Sequence, residues 1–169
     1  METKEFIHLT LESLQRNLDA VLDGLTPAEV VWQPAVSLNP IGLILFHTGR
    51  SEDFFIQELV RGQPQVWSRD KWYQRFRLPE EERGRHYKAE QVNAFASPDL
   101  GELRDYFAAV RAATLDCLKS LTPADFERKV TTPRGENTVS GFFSNIINHG
   151  AQHTGEISYL RGLQRGLNK

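Results

Sequence analysis

The 169-residue chain has a single cysteine. Cys117 alone rules out an intramolecular disulfide framework and a thiolate metal cluster. Long apolar runs are also missing. The longest aliphatic and aromatic stretch, Ile41 to Phe46, is far shorter than the roughly 20 residues a membrane-spanning helix needs. Neither a glycine-rich phosphate loop nor a dinucleotide fingerprint occurs. The opening Met-Glu-Thr-Lys-Glu has no apolar run behind it, so no secretory leader is expected. Charge of one sign is not in excess. Twenty Lys and Arg face 22 Asp and Glu, for a formal charge of −2, which argues against a dedicated nucleic-acid binder. The expectation is a soluble, cytoplasmic protein.

At 40% hydrophobic and 25% charged residues the composition is that of a globular protein. A chain of this length buries roughly 70% of its extended surface and forms a core without staples. One domain over residues 1–169 is expected.

Four segments carry helical periodicity. The first runs from about Lys4 to Asp23, with Phe6, Leu9, Leu14, Leu18, Val21 and Leu22 on its apolar side and Gly24 where a helix would stop. The second starts at Asn39-Pro40 and reaches Arg61-Gly62. Ser97-Pro98-Asp99 caps the third, which continues through Tyr106, Phe107, Val110, Thr114 and Cys117 to Leu121. The fourth begins near Val139-Ser140 and ends between Gly162 and Gly166. A few residues between Lys129 and Thr138 are the one place that hints at a strand. These segments imply an all-α fold, an antiparallel-type four-helix bundle.

The connection between helices two and three, residues 62–98, is long enough to need its own packing. It holds Trp67, Trp72, Tyr73 and Phe76. These aromatics can plug one end of the bundle, make a subunit contact or form a lid; their capacity for burial favours the plug. Arg75, Arg77, Arg83 and Arg85 interleave with them, but Glu80 to Glu82 interrupt the basic run, so a nucleic-acid surface is not expected. A weak repeat also appears. Leu25-Thr26-Pro27-Ala28-Glu29 recurs as Leu121-Thr122-Pro123-Ala124-Asp125, and Leu45-Phe46-His47 then overlays Ile147-Asn148-His149, as in two similar helical hairpins.

Histidines carry the functional reading. His149 and His153 lie four apart on the face Phe142, Ile146, His149, His153, Ile157, Leu160. His47 lies on the line Ile44, His47, Ser51, Phe54. Each inward imidazole brings two polar nitrogens that cost free energy when unpaired. One inward histidine is commonly a hydrogen-bonded core residue; three directed into one bundle point to a shared metal ion. His8 and His86 lack this support and read as surface residues. Cys117 falls on an inward stripe and reads as a small buried hydrophobe.

The segments Asn39-Pro40-Ile41-Gly42-Leu43-Ile44-Leu45-Phe46-His47 and Asn148-His149-Gly150-Ala151-Gln152-His153-Thr154-Gly155-Glu156-Ile157 resemble the two signatures of the DinB-like superfamily. The resemblance spans nearly the whole chain, and its specific positions are the three histidines. It implies a four-helix bundle in which His47, His149 and His153 bind a divalent metal, typically nickel or zinc, and which often forms homodimers. The chain departs from the pattern at Gln152 and Thr154, where many members carry His and Arg, and at Glu156, where they carry Gln. Glu156 can orient a ligand, act as a base or be a solvated helix charge.

Three neutral nitrogen ligands leave coordination positions open, as in catalytic sites. An imidazole donor set suits zinc, nickel, cobalt or iron, and manganese is not excluded. The resemblance further implies metal-dependent hydrolysis, or transfer of a low-molecular-weight thiol as in relatives similar to bacillithiol transferases and mycothiol-dependent isomerases. No catalytic residue is assigned. Ser51, Glu52 and Asp53 lie near enough to His47 to line a pocket, although ordinary helix polarity explains them equally. The alternative is a non-catalytic bundle that the metal stabilises, with a stress-linked binding role. The partner expected is a small molecule, with neither nucleic acid nor membrane involved.

Overall fold

A computed structural model of the chain describes residues 2–133 and 135–166. Each periodic segment is helical. Helix α1 spans Thr3–Leu22 and a short α2 spans Pro27–Val31. Helix α3, Ile41–Asp53, passes without a break into a π-helical stretch, Phe54–Val60. Three short helices punctuate the long connection: α4 Val66–Arg69, α5 Trp72–Phe76 and α6 Ala89–Asn93. Then follow α7 Leu100–Ser120, a 3-10 turn Pro123–Glu127, and α8 Val139–Arg165. Strands β1 Lys129–Thr132 and β2 Gly135–Thr138 form an antiparallel hairpin where the sequence offers only a faint strand signal. Arg134 lies outside the described residues, as do Met1 and residues 167–169. No helix among the described residues is long and apolar enough to cross a membrane.

The repeated Thr-Pro-Ala-acid motif has a local cause. Thr26 N–H donates to the Glu29 carboxylate at 2.7 Å while Glu29 N–H donates to the Thr26 hydroxyl. Thr122 N–H likewise donates to Asp125 at 2.7 Å. Both motifs are capping boxes that satisfy the first orphan N–H groups of a helical turn.

Contacts along the helices fix their directions. His47 meets His149 and Phe55 meets Phe142, so α3 and α8 run oppositely. Gly49 lies against Tyr106, and Glu52 pairs with Arg111, so α3 and α7 run the same way. Lys4 reaches the Leu121 carbonyl while Asp19 reaches Arg104, so α1 opposes α7. The bundle is therefore up-down-down-up rather than antiparallel throughout. A parallel neighbour cannot be joined by a tight turn, and this gives the long 62–98 connection its purpose: it returns the chain to the start of α7.

Two apolar clusters divide the core. One joins Leu43, Ile44, Phe46, Trp67, Trp72, Phe76, Tyr106 and Ile157; the other joins Ile7, Leu11, Ile56, Leu118, Phe126, Phe142, Phe143 and Ile146. Trp67, Trp72 and Phe76 are buried among bundle residues, so these linker aromatics act as a plug. On α1 the inward stripe is Ile7, Leu11, Leu18 and Leu22. Phe6 and Leu9, read as inward from the sequence, are 55% and 48% exposed because Ile7 and Leu11 occupy that side.

Buried charge ties these layers together. Arg111 pairs with both oxygens of Glu52 at 2.8 Å and donates to the Leu11 carbonyl, linking α1, α3 and α7. Asp53, with no exposed surface, accepts from Val66 N–H, Trp67 N–H and the Tyr106 hydroxyl at 2.9 Å each, and from Arg50 at 3.3 Å. Burial pushes its carboxyl up, while the two backbone N–H bonds and Arg50 pull the other way. Glu52 and Asp53 are thus structural, while Ser51 lines a cavity.

Two outcomes are expected. Asp53→Ala strands the Arg50 guanidinium and two N–H groups in the core and should cost about 3–5 kcal/mol in urea unfolding; a loss below ~1 kcal/mol contradicts the hub. Arg165 and the Thr26 N–H hold the Glu29 carboxyl at about 2, down from 4.5. Its contribution is complete above the unfolded value and disappears as pH falls toward 2. Glu29→Gln should therefore lower the Tm near neutral pH, with the difference closing in strong acid; a difference that persists there refutes the assignment.

Candidate metal centre

The inward lines read from the sequence meet at the boundary between the two core clusters. Along α8, Phe142, Ile146, Ile157 and Leu160 are buried, as is Ile44 on α3. The three histidines between them are half-buried.

His47 Nε2 lies 3.0 Å from His149 Nε2, and His153 Nε2 lies 3.0 Å from the same atom. The three donor atoms all fall within 4.8 Å of one another. Their outer nitrogens decide what the inner ones carry. His47 Nδ1 is 2.7 Å from the Gly84 carbonyl oxygen, which only accepts, so this nitrogen holds the proton. His153 Nδ1 is 2.7 Å from the Glu156 carboxylate and holds its proton for the same reason. Neutral rings of this tautomer present lone pairs at Nε2. A single N–H on His149 points well at one of these lone pairs and leaves the other facing a nitrogen. Burial and the two neighbouring rings push the His149 imidazole down to about 4, and burial also lowers His47. These two rings are therefore neutral near pH 7.

Three convergent nitrogens with too few protons suit a cation. Imidazole nitrogens sharing a zinc-like ion at ~2.0–2.1 Å stand roughly 3.0–3.4 Å apart, close to the observed contacts. Fixing each ring by its far nitrogen is how proteins orient histidine ligands. Gly84 makes one such bond possible. Its φ is +64°, and a Cβ there would lie 3.0 Å from Arg50 Cγ and 3.1 Å from Phe46 Cε1, so another residue would push the carbonyl away from His47.

A cavity of about 220 Å³ adjoins the rings, lined by His47, His153, Gly84, Arg85, His86 and Tyr87 among others. His86 is exposed, as the surface reading expects, with φ +59°, and it also stands on the wall of this cavity. No periodicity could place it, since it belongs to an irregular part of the linker. His8 pairs with Glu12 on the exposed side of α1, as expected of a surface residue. Thr154 bonds back to the Gly150 carbonyl of its own helix, and Gln152 is exposed. Cys117 is buried, and burial raises its thiol, so it is no nucleophile.

Fold and site together define a helical-bundle protein with a three-histidine cluster able to hold a divalent cation. The chain matches the model of the DinB superfamily over residues 10–157 and belongs to that superfamily. It is also similar to the crystal structure of a conserved protein from Enterococcus faecalis, with a TM-score of 0.86 over 99% of both chains at 22% identity, a likeness of fold. Curated protein sequences yield no match.

Loss of the carboxylate behind His153 should be read in metal affinity. Glu156→Gln is expected to weaken zinc binding about 10- to 100-fold in a chelator competition. Unchanged affinity would show that Glu156 is only a solvated helix charge.

Proposed function

We propose that the chain is a divalent-metal-dependent enzyme in which His47, His149 and His153 are the protein ligands. Its reaction is hydrolysis or transfer of a low-molecular-weight thiol, on a small-molecule substrate. The observation that carries this reading is the convergence of three Nε2 atoms beside a cavity that two of the histidines, His47 and His153, line. A structural ion is commonly enclosed by four protein ligands, whereas three ligands beside a cavity suit a catalytic one.

A divalent cation held there supplies Lewis acidity and lowers the pKa of a water or thiol that reaches it toward neutrality. Everything else is done by the chain. The Gly84 carbonyl and the Glu156 carboxylate hold two rings with Nε2 directed inward. His86, on the same wall, is the side chain positioned to exchange a proton with a group entering the cavity. Zinc and nickel suit the all-imidazole set best, and iron, cobalt and manganese remain compatible with it.

The test has two readouts. Protein purified without added metal should contain about one equivalent of a divalent ion, and the His47, His149 and His153 triple alanine variant should contain none. The loaded protein should cleave a nitrophenyl ester, or join a small thiol to a chloronitroaromatic electrophile, at least tenfold faster than the triple variant. A metal that raises the Tm while neither reaction proceeds would overturn catalysis in favour of the stabilising role.

A further inference from the structure

We infer that Glu82 is a positioning residue of the histidine cluster. Its carboxylate holds residues 84–87, and through them it sets both the orientation of His47 and the place of His86 on the cavity wall. The inference concerns the site proposed above, and only its consequence for catalysis rests on that reading.

Within this stretch Gly84 and His86 have left-handed backbone, at φ +64° and +59°. Glycine adopts that conformation freely, whereas a histidine keeps it only where its surroundings hold it. The stretch lies between α5 and α6, outside any helix or strand, so no backbone ladder fixes it. Glu82 takes that part. Its N–H donates to the Pro79 carbonyl at 3.0 Å, and its carbonyl accepts from Arg50 Nε at 3.2 Å. From this anchored backbone, Oε1 of the side chain accepts the Gly84 N–H at 2.8 Å. The same carboxylate faces the Tyr87 hydroxyl; burial and this neighbouring charge push the phenol up, so it keeps its proton. The Tyr87 ring packs on Phe95 with centroids 5.9 Å apart. One side chain thus grips the stretch at both ends. Between them lie the Gly84 carbonyl, 2.7 Å from His47 Nδ1, and His86, which lines the cavity with His47 and His153.

Gly84 is buried, and a buried N–H without an acceptor costs free energy. Removing the Glu82 carboxylate therefore favours backbone rotation at Gly84, which swings its carbonyl away from His47. The ring then loses the partner that keeps its proton on Nδ1. The rest of the linker has its own anchors, in the buried Trp67, Trp72 and Phe76 and in the bonds of Asp53 to the start of α4. Loss of the carboxylate should disturb His47 far more than it disturbs stability.

Proton–nitrogen NMR of the metal-free protein near neutral pH reads the tautomer of each histidine. The unaltered chain should show His47 protonated at Nδ1 and the Gly84 amide protected from exchange. Glu82→Gln keeps an oxygen for that N–H and should preserve both. Glu82→Ala should give mixed His47 tautomers, rapid Gly84 exchange and about tenfold weaker zinc binding, while its unfolding stays cooperative. A single Nδ1 tautomer in Glu82→Ala would show that the contact of Arg85 with Phe54 fixes the stretch unaided. Equal disturbance by Gln and Ala would show that charge and not the Gly84 bond matters. Either result overturns the inference. Should Glu82→Ala fail to fold, rapid Gly84 exchange in the unaltered chain or tautomer mixing in Glu82→Gln overturns it as well. A protein that takes up no metal at the three histidines defeats the functional reading instead, and the tautomers still decide the positioning role.

Discussion

Three imidazole nitrogens, one from α3 and two from α8, face one another with too few protons to satisfy them all. Half-buried polar nitrogens of this kind raise the free energy of the fold unless something fills the space between them. The outer nitrogens of His47 and His153 already have partners, so rotating either ring gives up one good hydrogen bond to relieve a poor contact. A divalent cation resolves the conflict without disturbing either bond, and this is why the cluster reads as a metal centre and not as a hydrogen-bonded core.

The centre depends on a buried hub one turn away. Asp53 fixes Arg50 and the first turn of α4, and Arg50 in turn donates through Nε to the Glu82 carbonyl at 3.2 Å. Glu82 accepts from Gly84 N–H at 2.8 Å, and Gly84 supplies the carbonyl that orients His47. Trp67 closes the circuit by donating to the Glu80 carbonyl while Arg50 stacks on its ring. Packing of the linker and orientation of a candidate ligand are therefore one connected problem. The large aromatic content of residues 62–98 is explained by it, because a loosely held linker would leave His47 free to turn.

Periodicity made the helices and the inward positions of His47, His149 and His153 legible, since a spacing of 3.6 residues translates directly into a face. The same rule misassigned Phe6 and Leu9, because α1 carries apolar residues on more than one side and only the neighbouring helices decide which stripe is covered. The parallel course of α3 and α7 left a trace in the length of the connection, though not in either helix. The π-helical widening at Phe54–Val60 left none, as its wider hydrogen bonds ask for no particular residue type. Gly84, Arg85 and His86 reach the site from irregular backbone whose path is set by the Arg50–Asp53 hub, so their roles required coordinates. Glu156 was visible beside His153, but its bond to Nδ1 depends on a side-chain rotamer that spacing does not specify.

The most direct measurement is metal-edge anomalous diffraction from crystals grown without added metal. One strong peak about 2.0–2.2 Å from the Nε2 atoms of His47, His149 and His153 is the result expected for a shared imidazole-bound ion. Refined rings at the same places with no anomalous density between them, or a peak held by other residues, would contradict the account.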